Sequence, residues 1–413
     1  MTPEELSKEA DRCVKCGLCL PHCPTYILTR DEGDAPRGRI ALIQGFVDGS
    51  LDSPRLIRHL ERCLGCRRCE TACPSGVRYG RIIDAARALG ARPGGSGRRR
   101  LLRLLTRLPY HRSMPRLLRW YRTGMVRGLM RGLVGQRLRR LDDMLPPEPP
   151  APAPSGETGA TGQVARVALF TGCVGRIADR GALEAAERVL ASLGITTLVP
   201  EGQGCCGAMH QHNGFPDDAL ALARANGRAF AALDVDAVLY LASGCGTQLQ
   251  AYGSMAVELG APPLEISRYL EQSGLAGSLR LAALDGTVAV HTPCTLRYPL
   301  GGSQWPLRLL QRIPGITLKP LPDLGCCGAA GTQVLTQPGL ADRLRETILT
   351  RILELRPRLL VTSNTGCAMH LRAGLKQKGS AIEVLHPIEV IERQLKGPRG
   401  EGRGPRKDRA ESG

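Results

Sequence analysis

The chain has 413 residues, with 56 Lys+Arg against 38 Asp+Glu, a net charge of +18, 16 cysteines, and only two Trp, eight Tyr and four Phe. That length supports roughly two to four domains with apolar cores of their own, so disulfide staples are not required. No run of about 18 apolar residues occurs, and the opening MTPEELSKEADRC is charged where a secretory leader is apolar. A cytoplasmic protein is expected, able to sit peripherally on the cytoplasmic face of the inner membrane. In a reducing compartment, closely spaced cysteines are metal or redox ligands rather than disulfides. So few aromatics argue against a base-stacking platform, and no nucleic-acid partner is expected.

Residues 1–85 hold eight cysteines in two runs, CVKCGLCLPHCP at 13–24 and CLGCRRCETACP at 63–74. Both read C-x2-C-x2-C-x3-C-P, the spacing that bacterial ferredoxins use for two 4Fe-4S clusters. Three cysteines at steps of three wrap one face of a cubane. The fourth leaves that face and serves the other cluster. One cluster would take Cys13, Cys16, Cys19 and Cys73, the other Cys23, Cys63, Cys66 and Cys69. Zinc also takes C-x2-C pairs, but needs two pairs rather than two runs of four with matching prolines. Gly17 and Gly65 fit close backbone approach to a cluster, where amides donate to sulfur and tune its potential.

From residue 86 to 144 the composition shifts. Between Asp84 and Asp142 there is no acidic residue and no lysine, but there are sixteen arginines, from Arg87 to Arg140. The excess charge is therefore local. Val126, Leu129, Met130, Leu133, Val134, Leu138 and Leu141 recur at helical spacing, which predicts an amphipathic helix. With Leu101, Leu102, Leu104, Leu105, Leu108, Trp120 and Tyr121 the segment could meet anionic lipid or an acidic partner subunit, or be a plain solvated face. Residues 145–163, rich in Pro, Gly and Ala, read as a linker.

Beyond residue 164, short β-branched runs alternate with helical stretches, which predicts parallel α/β sheets. VARVALF, ITTLVP and DAVLYLAS are the strands of the first half, and TVAVHT, ITLKPLP and RLLVTSN those of the second. Cys173, Cys205 and Cys206 recur 121 residues later as Cys294, Cys326 and Cys327, and Cys245 recurs 122 later as Cys367. One offset kept at four positions marks a duplicated unit, 164–283 and 284–395, followed by a basic, disordered tail at 396–413. The cysteines follow strands, so they should converge at the C-terminal sheet edge, where crevices form. Helix N-termini and neighbouring glycines there suit thiolates. Buried structural cysteines are the plainer reading. His210, His212 and His291 flank these loops without a catalytic assignment.

These motifs, CVKCGLCLPHCPTY with APRGRIALI, CLGCRRCETACPSGV, GCCGAMHQHNG, LGCCGAAGT, SGCGTQLQ and NTGCAMHL, resemble the glycolate oxidase (glycolate dehydrogenase) iron–sulfur subunit family. The wider group has paired CCG cysteine-rich domains and includes heterodisulfide reductase, lactate-utilisation and anaerobic glycerol-3-phosphate dehydrogenase subunits. Heterodisulfide-reductase-type repeats end in C-x-x-C. Here Gln248 and His370 stand at the last position, leaving four cysteines per repeat, which speaks against a disulfide-reducing cluster. It leaves an ordinary cluster, a modified site or redox thiols, with His370 either a ligand of the second site or a structural helix-face residue.

The fold expected is α+β multidomain, with an α-helical ferredoxin-like dicluster domain, a basic helical segment and two α/β cysteine-rich CCG domains. No dinucleotide fingerprint, nucleophile elbow, P-loop or flavin signature occurs. No flavin or NAD is expected on the chain, and no catalytic residue. A 2-hydroxy acid needs a hydride acceptor before single electrons can flow. The resemblance accordingly implies a partner flavoprotein that oxidises glycolate, or D-lactate, with this chain passing electrons towards membrane quinone. The competing class is a thiol–disulfide reductase.

Overall fold

A computed structural model describes residues 1–90, 96–111, 114–122, 127–128, 135–145 and 165–396. Most of the expected linker and tail lies outside these residues, as do Arg92, Arg112, Arg131 and the apolar positions Val126, Leu129, Met130, Leu133 and Val134.

The N-terminal region is helical. Its helices Pro3–Asp11, Pro36–Val47, Pro54–Arg62 and Tyr79–Leu89 close around Leu6, Ile40, Ile43, Leu56, Leu60, Ile82 and Ile83. Helix starts are written in the sequence: Thr2 and Glu5 form a capping box, Ser53 caps the fourth helix of the chain, and proline occupies the first turn. The two cysteine runs end differently. Pro24 opens the helix Pro24–Thr29 with Cys23 as its cap, whereas Pro74 enters a turn.

The C-terminal region contains two parallel sheets of identical topology. The first has β1 (Ala165–Phe170), β2 (Ile195–Leu198), β3 (Ala237–Tyr240) and β4 (Pro263–Glu265) in the order β2-β1-β3-β4. The second has β5 (Gly286–His291), β6 (Ile316–Pro320), β7 (Leu359–Thr362) and β8 (Glu383–Leu385) in the order β6-β5-β7-β8. Register repeats as well: Val167 pairs with Ala237, and Val288 with Leu359. The edge strands β4 and β8 escaped the sequence reading because three residues are too short to display alternation.

Along β1, Val167 and Leu169 face one core while Ala168 and Phe170 face another. Both sheet faces are covered, which is why these strands are continuous apolar runs. Helices Arg180–Ser192, Ile266–Gln272, Trp305–Leu310 and Pro387–Gln394 form one layer between the sheets and share a single core with the inner faces of both. Helices Pro216–Ala231 and Pro338–Leu355 cover the outer faces. The duplicated halves are thus fused into an α/β/α/β/α stack.

The arginine region is three short helices among the described residues, Ser96–Arg107, Met114–Arg122 and Gln136–Met144. It is in part an internal strap. Arg98 pairs with Glu61 at 2.7 Å, Arg99 and Arg103 pair with Asp218 at 2.6 and 2.5 Å, and Arg140 pairs with Asp342 at 2.6 Å. Arg87 donates to the carbonyls of Leu60 at 2.8 Å and Cys63 at 2.5 Å, and to that of His212 at 3.1 Å. In the sequence these charges point only to external partners or solvent, because their acidic partners lie 37 to 202 residues away. Among the described residues no helix is long and apolar enough to cross a membrane.

Candidate iron–sulfur sites

Within each ferredoxin-type run the chain turns twice through left-handed backbone, at Lys15 and Gly17 (φ 56° and 89°) and at Gly65 and Arg67 (φ 62° and 60°). Glycine removes the strain at one of the two turns in each run, and not at the same one. At Gly17 a Cβ would also lie 2.7 Å from Arg37 Nη1. These turns curl the loops so that amides face sulfur, as Gly65 N–H does to Cys63 Sγ at 3.5 Å.

Cys23, Cys63, Cys66 and Cys69 line one small cavity together with Arg39 and Tyr79. The first run's fourth cysteine therefore stands with the second run's first three. Cys13, Cys19 and Cys73 rest on the same helical core, Cys16 is exposed, and Cys19 lies near Cys13. Burial pushes the Cys69 thiol up, helped by its neighbours Cys66, Cys63 and Cys23, as expected where several sulfurs share a dry site.

What supports this cavity comes from residues far apart in the chain, with no local pattern to mark it. Asp34 is fully buried and meets His59 at 2.9 Å, Arg62 at 3.0 Å and Arg39 at 3.4 Å. Arg39 also donates to the His59 carbonyl at 2.7 Å and to Thr25 Oγ1 at 3.2 Å, and Thr25 donates to the Asp34 carbonyl at 2.8 Å beside Cys23. Asp31, Asp34 and His59 cluster closely enough for a cation, but the arginines already neutralise Asp34. APRGRIALI carries Arg39, and only the fold shows what it holds.

Each cysteine-rich repeat gathers its four cysteines at the C-terminal edge of its sheet. In the first, Cys173 Sγ is 3.4 Å from Cys205 Sγ, and Cys206 lies beside both Cys205 and Cys245. In the second, Cys327 Sγ is 2.7 Å from Cys367 Sγ, and Cys326 lies beside Cys294 and Cys327. The first cysteine of each vicinal pair is the common acceptor. Cys173 and Cys206 lower the proton affinity of Cys205, and Cys294 and Cys327 lower that of Cys326, with the amides of Gly207 and Gly328 adding N–H···S bonds at 3.4 Å.

The glycine of each CCG triplet is required twice over. Gly207 and Gly328 have φ of 92° and 81°, and a Cβ on either would press on the backbone carbonyl of Ala219 or Ala341 in the helix behind.

Of the flanking histidines, His370 is not aimed at sulfur. Its Nδ1 donates to the Cys327 carbonyl at 2.9 Å, and its Nε2 faces Arg140 at 3.3 Å and Asp342 at 3.4 Å. His291 Nδ1 meets Thr362 Oγ1 at 2.9 Å, and the exposed His212 meets Asp84 at 2.9 Å. His210 is buried beside Cys205. Gln248, at the other position lacking the fifth cysteine, is buried on its helix.

The ferredoxin-type loops dock on the second repeat. Arg68 pairs with Asp323 at 3.1 Å, and Gln333 donates to the Cys63 carbonyl at 3.1 Å and to that of Glu61. Cys66 lies near the second site: after burial, charge on Cys326 is what raises its proton affinity. The donor set, thiolates backed by amides and buried cations, fits iron–sulfur clusters.

The chain matches the 4Fe-4S dicluster domain over residues 9–77 and the cysteine-rich CCG domain twice, over 167–250 and 288–372. It is 33% identical to the glycolate oxidase iron-sulfur subunit of Escherichia coli, with 93% of each chain covered. The chain belongs to the glycolate oxidase iron–sulfur subunit family. Within it, the probable glycolate oxidase iron-sulfur subunit of Bacillus subtilis is 30% identical over 92% of each chain. A dihydromethanophenazine:CoB–CoM heterodisulfide reductase subunit of Methanosarcina acetivorans is 26% identical over 94% of each chain. The same fold is seen in a hypothetical protein from Helicobacter pylori, with TM-score 0.53, 8% identity, and 95% of this chain and 72% of that one covered. This is an iron–sulfur protein of α+β architecture.

Proposed function

We propose that the chain is the iron–sulfur electron-transfer subunit of a flavin-dependent 2-hydroxy-acid dehydrogenase complex, with glycolate the favoured substrate, oxidised on a partner flavoprotein. The observation that carries this reading is the docking of the Cys23/Cys63/Cys66/Cys69 cavity on the second cysteine-rich site through Arg68–Asp323 and Gln333. Cys13, Cys16, Cys19 and Cys73 would hold one 4Fe-4S cluster, and Cys23, Cys63, Cys66 and Cys69 the other. Bound clusters would supply one-electron carriage between a two-electron flavin and a quinone. The protein's part is to exclude water, hold the sulfurs and neutralise their charge, with Arg39 and the Gly65, Gly207 and Gly328 amides in place for it. Six of the eight cysteine-rich-domain sulfurs are buried and two half-buried, which disfavours direct attack on an external disulfide.

Leu101, Leu104, Leu117 and Trp120 are exposed on the strap beside Arg100, Arg107 and Arg116. They are the face we assign to peripheral contact at the cytoplasmic side of the membrane, where quinone is reached.

The test is anaerobic purification with the flavoprotein, followed by addition of glycolate, D-lactate or L-lactate and EPR of the reduced clusters. Glycolate should reduce them fastest; silence with every 2-hydroxy acid would refute the reading. Cys16→Ser and Cys66→Ser should each remove one cluster's signal, and unchanged iron content in either would overturn the ligand sets.

A further inference from the structure

His210 is an anomaly among the buried histidines. It lies three residues after the glycine of the CCG triplet, in the helix Ala208–Gln211, is 1% exposed, and meets no oxygen or nitrogen partner at either ring nitrogen, only the neighbouring Cys205 sulfur. The others are engaged: His291 by Thr362, His370 by the Cys327 carbonyl and Arg140, and His386 by the Leu241 carbonyl and the Ile388 amide. Buried polar side chains ordinarily find an oxygen or nitrogen partner, so a buried imidazole whose polar neighbour is sulfur stands out. The ring stands next to Cys205, the sulfur on which Cys173, Cys206 and the Gly207 amide already converge. The duplication supplies a built-in contrast, for the position 121 residues later is Gly331, with φ 60° and no side chain to offer.

We propose that His210 completes the donor set of the first cysteine-rich site, which thereby binds an iron–sulfur centre through cysteines and one imidazole, whereas the second repeat uses cysteines alone. The inference rests on the iron–sulfur reading of these sites and adds a ligand that the cysteine pattern does not contain. One ring nitrogen gives its lone pair to iron and the other retains its proton, so no redox or proton balance changes on binding. Imidazole is neutral where thiolate is anionic, so iron bound by it is easier to reduce than iron held by sulfur alone. The two repeats, alike in backbone, therefore differ in potential.

The test uses the full-length holoprotein, purified anaerobically, reduced with dithionite and read by pulsed EPR for nitrogen hyperfine coupling, with natural and 15N-histidine-labelled chains. A strong coupling that rescales on labelling is expected. His210→Ala should abolish it and lower the iron content, while His212→Ala, at an exposed site, should keep it. His210→Cys should recover the iron without the nitrogen coupling and shift the potential downward. Because the labelling arm reads the unmutated chain, its result stands even where His210→Ala fails to fold. Absence of a strong histidine coupling, as a buried water or a mere N–H···S contact would give, overturns the proposal, and so does its survival in a folded His210→Ala. Unchanged iron in Cys205→Ser defeats it at the premise instead, with the iron–sulfur reading of the site, so the two failures are told apart.

Discussion

The two cysteine-rich repeats hold the same four sulfurs at the same strand ends, yet different side chains pin the loops that carry them. At the carbonyl of Cys206 the donor is Tyr252 Oη at 2.9 Å; at the equivalent carbonyl of Cys327 it is His370 Nδ1 at 2.9 Å. Asn226 bonds the Gly204 amide and the Cys205 carbonyl in the first repeat, and Ile348 stands at its place, 122 residues on, in the second. The helix that follows the last strand is capped by Glu265 in one repeat and by His386 in the other. What the two repeats share is backbone geometry and sulfur, because a glycine at positive φ and a cysteine thiol have no close substitutes. A buried carbonyl needs only some donor within reach, so that choice drifted. The repeats also face different neighbours. The second receives the ferredoxin-type loops and, through Arg140 and Asp342, the last strap helix, while the first receives the strap helix Ser96–Arg107 and Tyr110, whose Oη donates to the Gly204 carbonyl at 2.8 Å.

The largest effect should come from the feature the repeats share. Gly328→Ala and Gly207→Ala combine left-handed strain with a clash on helix backbone, and each should cost roughly 2–4 kcal/mol. Thermal unfolding would measure it, with Gly328→Ala the more damaging because its neighbour is closer. Full tolerance at one position beside damage at the other would break the equivalence of the two loops.

The carbonyl donors come next. Tyr252→Phe and His370→Phe should each destabilise by about 1–3 kcal/mol by leaving a buried carbonyl unpaired. Local hydrogen exchange should rise around Cys206 in the first variant and around Cys327 in the second. Loss of protection in both repeats from one substitution would mean the shared middle core transmits the damage.

The caps give opposite pH responses. Burial holds His386 neutral, its pKa lowered to about 4, so its share of stability is present above pH 6.5 and lost as pH falls towards 4. Burial also raises Glu265 to about 7, so its share is present below pH 4.5 and lost as pH rises through 7. His386→Gln should therefore flatten the acid limb of melting temperature against pH, and Glu265→Gln the neutral-to-alkaline limb. The same limb flattening in both would refute this sign assignment.

The smallest effect belongs to the strap. Asp218→Asn removes the pairs with Arg99 and Arg103, whose side chains are 38% and 46% exposed. Solvent screening keeps the cost near about 1 kcal/mol. Limited proteolysis across residues 96–107 should accelerate while the cysteine sites stay intact.

The sequence by itself carried the covalent and periodic facts: two ferredoxin-type runs, the 121-residue offset, six of the eight strands, the long helices and the concentration of arginine. These are legible because ligand spacing, glycine at turns and apolar periodicity act over a few residues. Only the tertiary structure decided that the repeats share one middle core, that Asp34 and Arg39 brace Cys23, that Gln333 and Asp323 meet the ferredoxin-type loops, and that His370 serves a carbonyl while His210 stands beside the Cys205 sulfur. Each of those depends on contacts between residues far apart in the chain, where burial and hydrogen-bond satisfaction choose the partner and no local spacing records the choice.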